Sequence, residues 1–532
     1  MKKKGLFVIL LATTSMSLCG CNFFDIITSS SSEYSFEPIS ISGDGSKDKQ
    51  QLIYNISDYV SNSFYSIANT PTIGNPKLLV LPILFTDSNS YLDEDDLVTY
   101  RAYLEKAFFG TKEETGWNSV KSFYEEESLG LCEIGGEVAP WYQSSYSYNS
   151  VSTSEITTAL IETAVNNWKA SNPNKVKEFD TNSDGFLDGV IAIYGGPDYK
   201  SIDKRERSKG RFVNNNMWAY TSWTSLKKDV NNPNVKNFIW ASYDFMLNDI
   251  SNVNVDTHTY IHEMGHMFGL DDYYDYNNSD YRWAGGFSMQ DYNVGGHDPY
   301  SMLLYGWSNP YVPTETCRIE IQPFSTSKDL VLLTPEYTGS PYDEYLLVEL
   351  YTPTGTNELD AYHAYAGAYP SGLTNAGIRL WHIDSRLLDV TNAKYTGYDH
   401  DDYYLFSNYT ITTNVTNSHK YVVGPTNTQY SRQGSYNSYS TNSLEMRSFR
   451  LNELVRRNDY MGLKRGTVVD NSHLFRTGDT FSINNYENYF VKTSTSILSS
   501  ECKFNNGKSF PWTISFDYVR RDKATITFTK NG

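Results

Sequence analysis

The chain has 532 residues, 39% of them hydrophobic and 20% charged, with a mean hydropathy of −0.50. That is a globular composition with room for two to four domains, and 15% aromatic residues are too many for a disordered chain. The net charge of −18 comes from 62 acids against 44 bases with no basic block beyond the extreme N-terminus, which argues against a nucleic-acid-binding role. Tyrosine suits half-wet surfaces, so 44 tyrosines predict a sheet-rich protein with exposed contact area.

Residues 1–20 read as a lipoprotein signal peptide: three lysines, then an apolar run from Leu6 to Leu18 too short to span a bilayer. Leu18-Cys19-Gly20-Cys21 resembles a bacterial lipobox, with Cys21 as the lipidated first residue of the mature chain. Cleavage there removes three lysines and no acids, taking the net charge from −18 to −21. Residues 21–76 form the anchor, a Ser/Gly-rich tether and a short N-terminal segment, which places the protein on the extracellular face of a bacterial membrane.

Lys77–Phe85 reads as a buried strand, with Pro82 predicting an edge or irregular position. Leu97, Tyr100, Leu104 and Phe108 share a helical face over 93–108, and Ile156, Leu160, Ala164 and Trp168 mark a second helix. Leu131–Val138 and Gly189–Tyr194 read as short strands, so strands and helices alternate to about residue 270. Just before the second of these strands, Asp180, Asn182, Asp184 and Asp188 occupy positions one, three, five and nine of a calcium-type loop, with Gly185 at six and Phe186 at seven. Position twelve is Ile191 where an EF-hand needs a bidentate glutamate, so the expectation is a single structural Ca²⁺ loop.

His262-Glu263-Met264-Gly265-His266 is the sharpest feature. Residues four apart share a helix face, so two imidazoles can bind one metal ion, with Glu263 placed to take a proton from water on the metal. Zn²⁺ lowers the pKa of such a water to about 7. Gly269 can end the helix in a sharp turn and return the chain so that Asp272 becomes the third ligand; Asp271, Asp275 and His297 are the alternatives. Gly285-Gly286-Phe287-Ser288-Met289 can form a tight turn with Met289 as an apolar floor, Met302 being the rival, and Tyr292 is a candidate oxyanion donor. His258 and His382 are taken as structural.

After residue 315 the texture becomes β-rich: Leu330–Leu333, Tyr345–Leu350 and Gly377–Ile383 are short apolar runs, and Ala524–Thr529 alternates like a strand. The expected division is a catalytic domain over 77–315, a β-rich subdomain over 316–390, a Tyr/Asn/Ser-rich excursion over 391–445 and a β-rich region over 446–532. Cys132, Cys317 and Cys502 are odd in number and far apart, so no disulfide framework follows.

His262 to Asp272, with Tyr274-Asp275 and the segment ending at Met289, resembles the immune inhibitor A-type metallopeptidases (peptidase family M6), which are similar to the metzincins. Lys77–Asp87, Phe108-Phe109-Gly110, Ser119–Gly130 and Val138–Tyr142 look like upstream family segments, and Leu304–Trp307 and Gly377–Asp384 like downstream ones. The resemblance implies an α+β metzincin-like zinc endopeptidase acting on protein or peptide substrates. Its implied ligands are His262, His266 and Asp272, with Glu263 as general base. A non-enzymatic surface lipoprotein, an adhesin or glycan binder on the same scaffold, is the competing reading, motivated by the tyrosine load and the 391–443 stretch.

Overall fold

The computed structural model describes residues 68–201, 214–275, 281–363, 372–389, 394–398, 404–407, 410–413, 420–422, 427, 450–496 and 499–531. The signal, Cys21, nearly all of the tether and most of the 391–445 stretch lie outside the described residues.

The first layer is a mixed sheet with helices. Strands β1 (Lys77–Leu84), β2 (Gly135–Val138), β3 (Tyr142–Gln143), β4 (Gly189–Tyr194), β5 (Tyr220–Trp223) and β6 (Asn237–Ser242) run in the order β2-β1-β4-β6-β5, with β3 also on β1. All pairings are parallel except β5 on β6. The unbroken apolar strings of β4 and β6 suit strands covered on both faces, and every residue of both is buried. β1 is central, so of the two placements expected from Pro82, an edge or an irregular position, it takes the second. β2 pairs with Lys77–Val80 and β3 with Ile83–Leu84, so Pro82 falls in the break between them, where no ladder partner stands on that side.

Helices α1 (Glu94–Phe109) and α2 (Val120–Glu127) start at capping boxes on Asp93 and Ser119, whose side chains accept from the backbone three residues on. Helix α3 (Ser154–Ser171) packs Leu160, Ile161, Ala164, Val165 and Trp168 into the core on one face of the sheet. Helix α4 (His258–Met267) lies in the core on the other face, among Tyr124, Ile191, Ile239 and Tyr305.

Downstream, β7 (Cys317–Ile321) starts a β-sandwich. One antiparallel sheet contains β8 (Val331–Leu333), β9 (Glu344–Tyr351), β10 (Gly377–Asp384) and the strand Asn452–Val455. The other joins Thr480–Ser482, Trp512–Val519, Ala524–Lys530 and β7. Alternation along β9 explains why all eight of its residues are buried. Leu346, Val348 and Leu350 enter the sandwich core with Phe481, Ile514 and Phe528, while Tyr345, Leu347 and Tyr351 enter the core that contains α4. The strands after residue 316 and those after residue 446 thus share one core. Cys132, Cys317 and Cys502 are free and buried. Among the described residues no helix is long and apolar enough to cross a membrane.

The tyrosines depart from the surface expectation. Tyr124, Tyr148, Tyr194, Tyr260, Tyr273, Tyr300 and Tyr305 are among the largest fully buried side chains. Several hydroxyls find backbone acceptors inside the core, which makes a buried phenol tolerable.

Candidate active site

α4 is fixed from several sides before any ligand geometry is considered. The Tyr124 hydroxyl donates to the Ile261 carbonyl at 2.7 Å and the Tyr305 hydroxyl to the Gly265 carbonyl at 3.2 Å. Within the helix, Tyr260 reaches out to the Ser242 carbonyl on β6 at 2.8 Å. Gly265 has no room for a side chain, because a Cβ there would collide with the Gln290 amide. The helix ends as its sequence predicts: Gly269 takes φ +99°, its amide donates to the His266 carbonyl, and the Leu270 amide donates to Gly265.

That turn brings the chain back. His262 Nε2 lies 3.0 Å and His266 Nε2 3.3 Å from Asp272 Oδ1. His262, His266 and Asp272 are the one group of this kind among the described residues, with ligand atoms within 4.8 Å of one another. Each Nδ1 is committed elsewhere. His262 Nδ1–H donates to the Met289 carbonyl at 2.8 Å and His266 Nδ1–H to the Leu270 carbonyl at 2.8 Å. A carbonyl can only accept, so each Nδ1 carries its proton and Nε2 is left to face Asp272, as a donor to the carboxylate when the imidazole is charged and as the lone pair a metal would take once that proton is lost.

The electrostatics fit a cation. Burial works against a charged His266, yet the Asp272 carboxylate overrides it and pushes the imidazole up to about 10. Asp272 is held far below the usual carboxylate range, since His266 and His262 outweigh the burial that would raise it. Two nitrogens and a carboxylate oxygen, buried together and already neutralising one another, form a donor set suited to a divalent ion. Glu263 is buried beside them. Burial raises its carboxyl, partly offset by His266 and His262. The Thr221 hydroxyl on edge strand β5 lies 3.0 Å from the Glu263 carbonyl and 3.2 Å from its Oε2.

The alternatives to Asp272 sit elsewhere. Asp275 accepts from the Trp283 indole at 3.3 Å. His297 is buried in a cage of Phe123, Tyr124 and Tyr305 rings, and burial pulls its imidazole down to about 3. Met289 is fully buried and starts the short helix α5 (Met289–Tyr292), so its carbonyl is the backbone group that aims His262. The preceding turn has φ +95° at Gly285 and +74° at Gly286, and the Gly286 amide donates to Asp291 at 2.7 Å. Arg379 on β10 ties into the same turn at the Phe287 carbonyl, 3.3 Å away. Met302 is buried in α6 (Pro299–Tyr305).

Tyr292 carries the Arg282 guanidinium 3.6 Å above its ring and meets Tyr274 edge-on at 6.2 Å. Tyr274 is the residue that sequence reasoning left without a role. Its hydroxyl bonds to Asp272, and burial with the charges of Asp272 and Glu263 keeps the phenol well above its ordinary value. Its position two residues after the ligand was the available signal. His258, one turn before His262, is clamped between Asp256 at 2.7 Å and Asp360 at 3.1 Å and stacks on Trp117 at 4.0 Å. His382 pairs with Glu344 at 2.9 Å, within the sandwich.

In the predicted calcium loop, Asp180 accepts from the Asp184 and Gly185 amides, Asn182 from Asp184, and Asp184 from the Phe186 amide. Ser183 and Gly185 take φ +60° and +88°. Asp188 is fully buried and accepts from the Thr181 amide and hydroxyl and the Lys77 amide, so it closes the loop onto the start of β1.

Residues 76–288 match the family described as immune inhibitor A peptidase M6, catalytic domain. The matched range runs from the start of β1 to the residue before Met289 and includes His262, Glu263, His266 and Asp272. It supports a metallopeptidase; the downstream segments 304–307 and 377–384 lie outside it. Among solved structures, the chain is similar to metalloproteinase-II from Bacteroides fragilis at 12% identity and a TM-score of 0.22, over 47% of this chain. The chain spans 60% of the length of that structure. No curated protein matches it.

Proposed function

We propose that the protein is a membrane-tethered extracellular zinc endopeptidase of metzincin-like fold. The observation that carries this reading is the convergence of His262 Nε2 and His266 Nε2 on Asp272, with the Glu263 carboxyl on the same helix. His262, His266 and Asp272 would hold Zn²⁺, which supplies Lewis acidity toward a peptide carbonyl and lowers the pKa of a coordinated water. Glu263 accepts the proton of the attacking water and passes it to the leaving amine. Its buried setting and raised pKa suit a base that must also act as an acid. Thr221 holds that carboxyl in place, and the Met289 and Leu270 carbonyls fix both imidazole tautomers. Tyr292 is assigned to the developing oxyanion and Tyr274 to orienting Asp272.

The deciding experiment is incubation of the purified protein with a mixed protein digest, with and without a chelator. New cleavage sites that vanish with the chelator support the reading, and an unchanged digest rejects it in favour of a surface binder. Asp180, Asn182, Asp184, Asp188 and the Phe186 carbonyl are assigned to a structural Ca²⁺, on the strength of their spacing and the tight turn at Gly185. Calcium chelation should then lower the melting temperature of the wild type and leave Asp184→Ala unaffected; an equal drop in both places the ion elsewhere. Lipidation at Cys21 supplies the membrane contact. A Cys21→Ser protein should appear in the soluble fraction, and one that stays with membranes refutes the anchor.

A further inference from the structure

A cavity of about 150 Å³ is lined by residues of the β-sandwich, and no residue of the metal site lines it. Arg450, Arg465, Lys492, Asn488 and Asn505 line it, with Glu453 as its one carboxylate. Glu453 is already engaged, accepting from Arg465 Nε at 2.5 Å and Nη2 at 2.8 Å. Lys492 stands half-exposed at the mouth, 2.6 Å from Glu487. Arg450 is only 4% exposed. Its guanidinium lies 4.1 Å from the Trp283 ring centroid, and that of Arg465 lies 5.5 Å from the same centroid. Two guanidinium groups therefore share one indole in a buried place.

The charged and titratable groups around Arg450 are Arg465, Glu453, Asp275 and Tyr281. Burial first, and the neighbouring Arg465 second, pull Arg450 down to about 10 in spite of Glu453, Asp275 and Tyr281, so a buried guanidinium here gains from a further anion. The walls are held in advance of any ligand. Arg465 Nη1 donates to the Asn488 carbonyl at 2.8 Å, and Asn505 is pinned through its amide to Glu344 at 2.6 Å and its side chain to Asp384 at 2.9 Å. Glu344 also receives the His382 imidazole, whose ring packs on Phe490. Pre-fixed amides, planar guanidinium forks and an excess of cations are what recognise a small oxyanion.

We propose that this cavity is a binding site for the carboxylate or phosphate group of a small ligand, held by Arg450, Arg465 and Lys492. Trp283 links it to the catalytic unit, since its indole N–H donates to Asp275, three residues past Asp272.

The test titrates the full chain with inorganic phosphate and with glucuronate, using glucose as the neutral control, by calorimetry and thermal melting. The expected result is binding of at least one anion with a raised melting temperature and none with glucose. Phosphate alone identifies a phosphate-bearing ligand, and glucuronate alone a carboxylate-bearing one. Arg450→Gln should weaken binding about 10-fold or more through loss of a charge-assisted hydrogen bond. Lys492→Gln, at an exposed position that folding does not need, should weaken it roughly 3-fold and carries the test if Arg450→Gln does not fold. Absence of binding by both anions, equal binding of glucose, or unchanged affinity in the folded variants overturns the proposal.

Discussion

At the scale of single residues, the proposed mechanism separates the groups that would hold a metal, His262, His266 and Asp272, from the group that would move a proton, Glu263. Glu263→Gln keeps the shape and the Thr221 contact but removes the base. Peptide hydrolysis should fall by at least about 100-fold while metal content stays near one per chain. Asp272→Ala should do the reverse, lowering metal content after dialysis, because two imidazoles alone remain. Metal analysis beside a peptide-release assay distinguishes the two, and retained turnover in Glu263→Gln removes that residue as base. The convergence of His262, His266 and Asp272 beside Glu263 was legible in the sequence because it is local, within eleven positions on a helix and its turn. Tyr274, Thr221 and the Met289 carbonyl were not, or only as neighbours. Their roles depend on where β5 and a turn far along the chain meet the helix, which spacing does not encode.

At the scale of elements, α4 is an unusual helix because almost nothing about it is exposed and its N-cap residue Thr257 makes no side-chain capping bond. Its stability comes from packing and from tyrosine hydroxyls on its carbonyls. Gly265→Ala, normally favourable in a helix, should here be destabilising by about 1–3 kcal/mol, since the added methyl must displace Gln290. Gly265→Ala with Gln290→Ala should recover part of that loss. Urea midpoints of the three variants check it, and additive losses would mean that the two positions do not meet. Helix and strand periods placed α1, α3, β4 and β9 well, since each carries a clear apolar pattern. The central place of β1 was left open because a proline fits an edge and an irregular position alike, and only the gap between β2 and β3 explains how it sits inside. The tyrosines misled for a similar reason: composition cannot say which phenols find a buried carbonyl.

At the scale of the whole molecule, the catalytic unit and the sandwich are joined through buried charge as well as apolar area. His258 on α4 is bound by Asp256 from its own unit and by Asp360 from the helix Glu358–Tyr362, and Asp360 also accepts from the Gly295 amide at 2.6 Å. Burial alone would lower this imidazole, but Asp360 and Asp256 raise it to about 9. A folded pKa above the unfolded value near 6.5 means that the clamp contributes fully below about pH 6.5 and is lost as pH rises toward 9. The contribution is on the order of 3 kcal/mol. Denaturant midpoints should therefore fall between pH 6 and pH 9.5 in the wild type and much less in His258→Gln; parallel profiles would remove the clamp as the cause.

One pairing also sets an order of events in time. The final long strand, Ala524–Lys530, completes its sheet against β7, and Lys523 Nζ meets Glu320 at 2.8 Å across 203 residues of chain. During synthesis the N-terminal layers emerge first, but β7 has an open edge until residues 524–530 arrive. The sheet that flanks α4 is packed on its other face by the sheet that this strand completes, so the packing around α4 draws on residues more than 250 positions downstream of it.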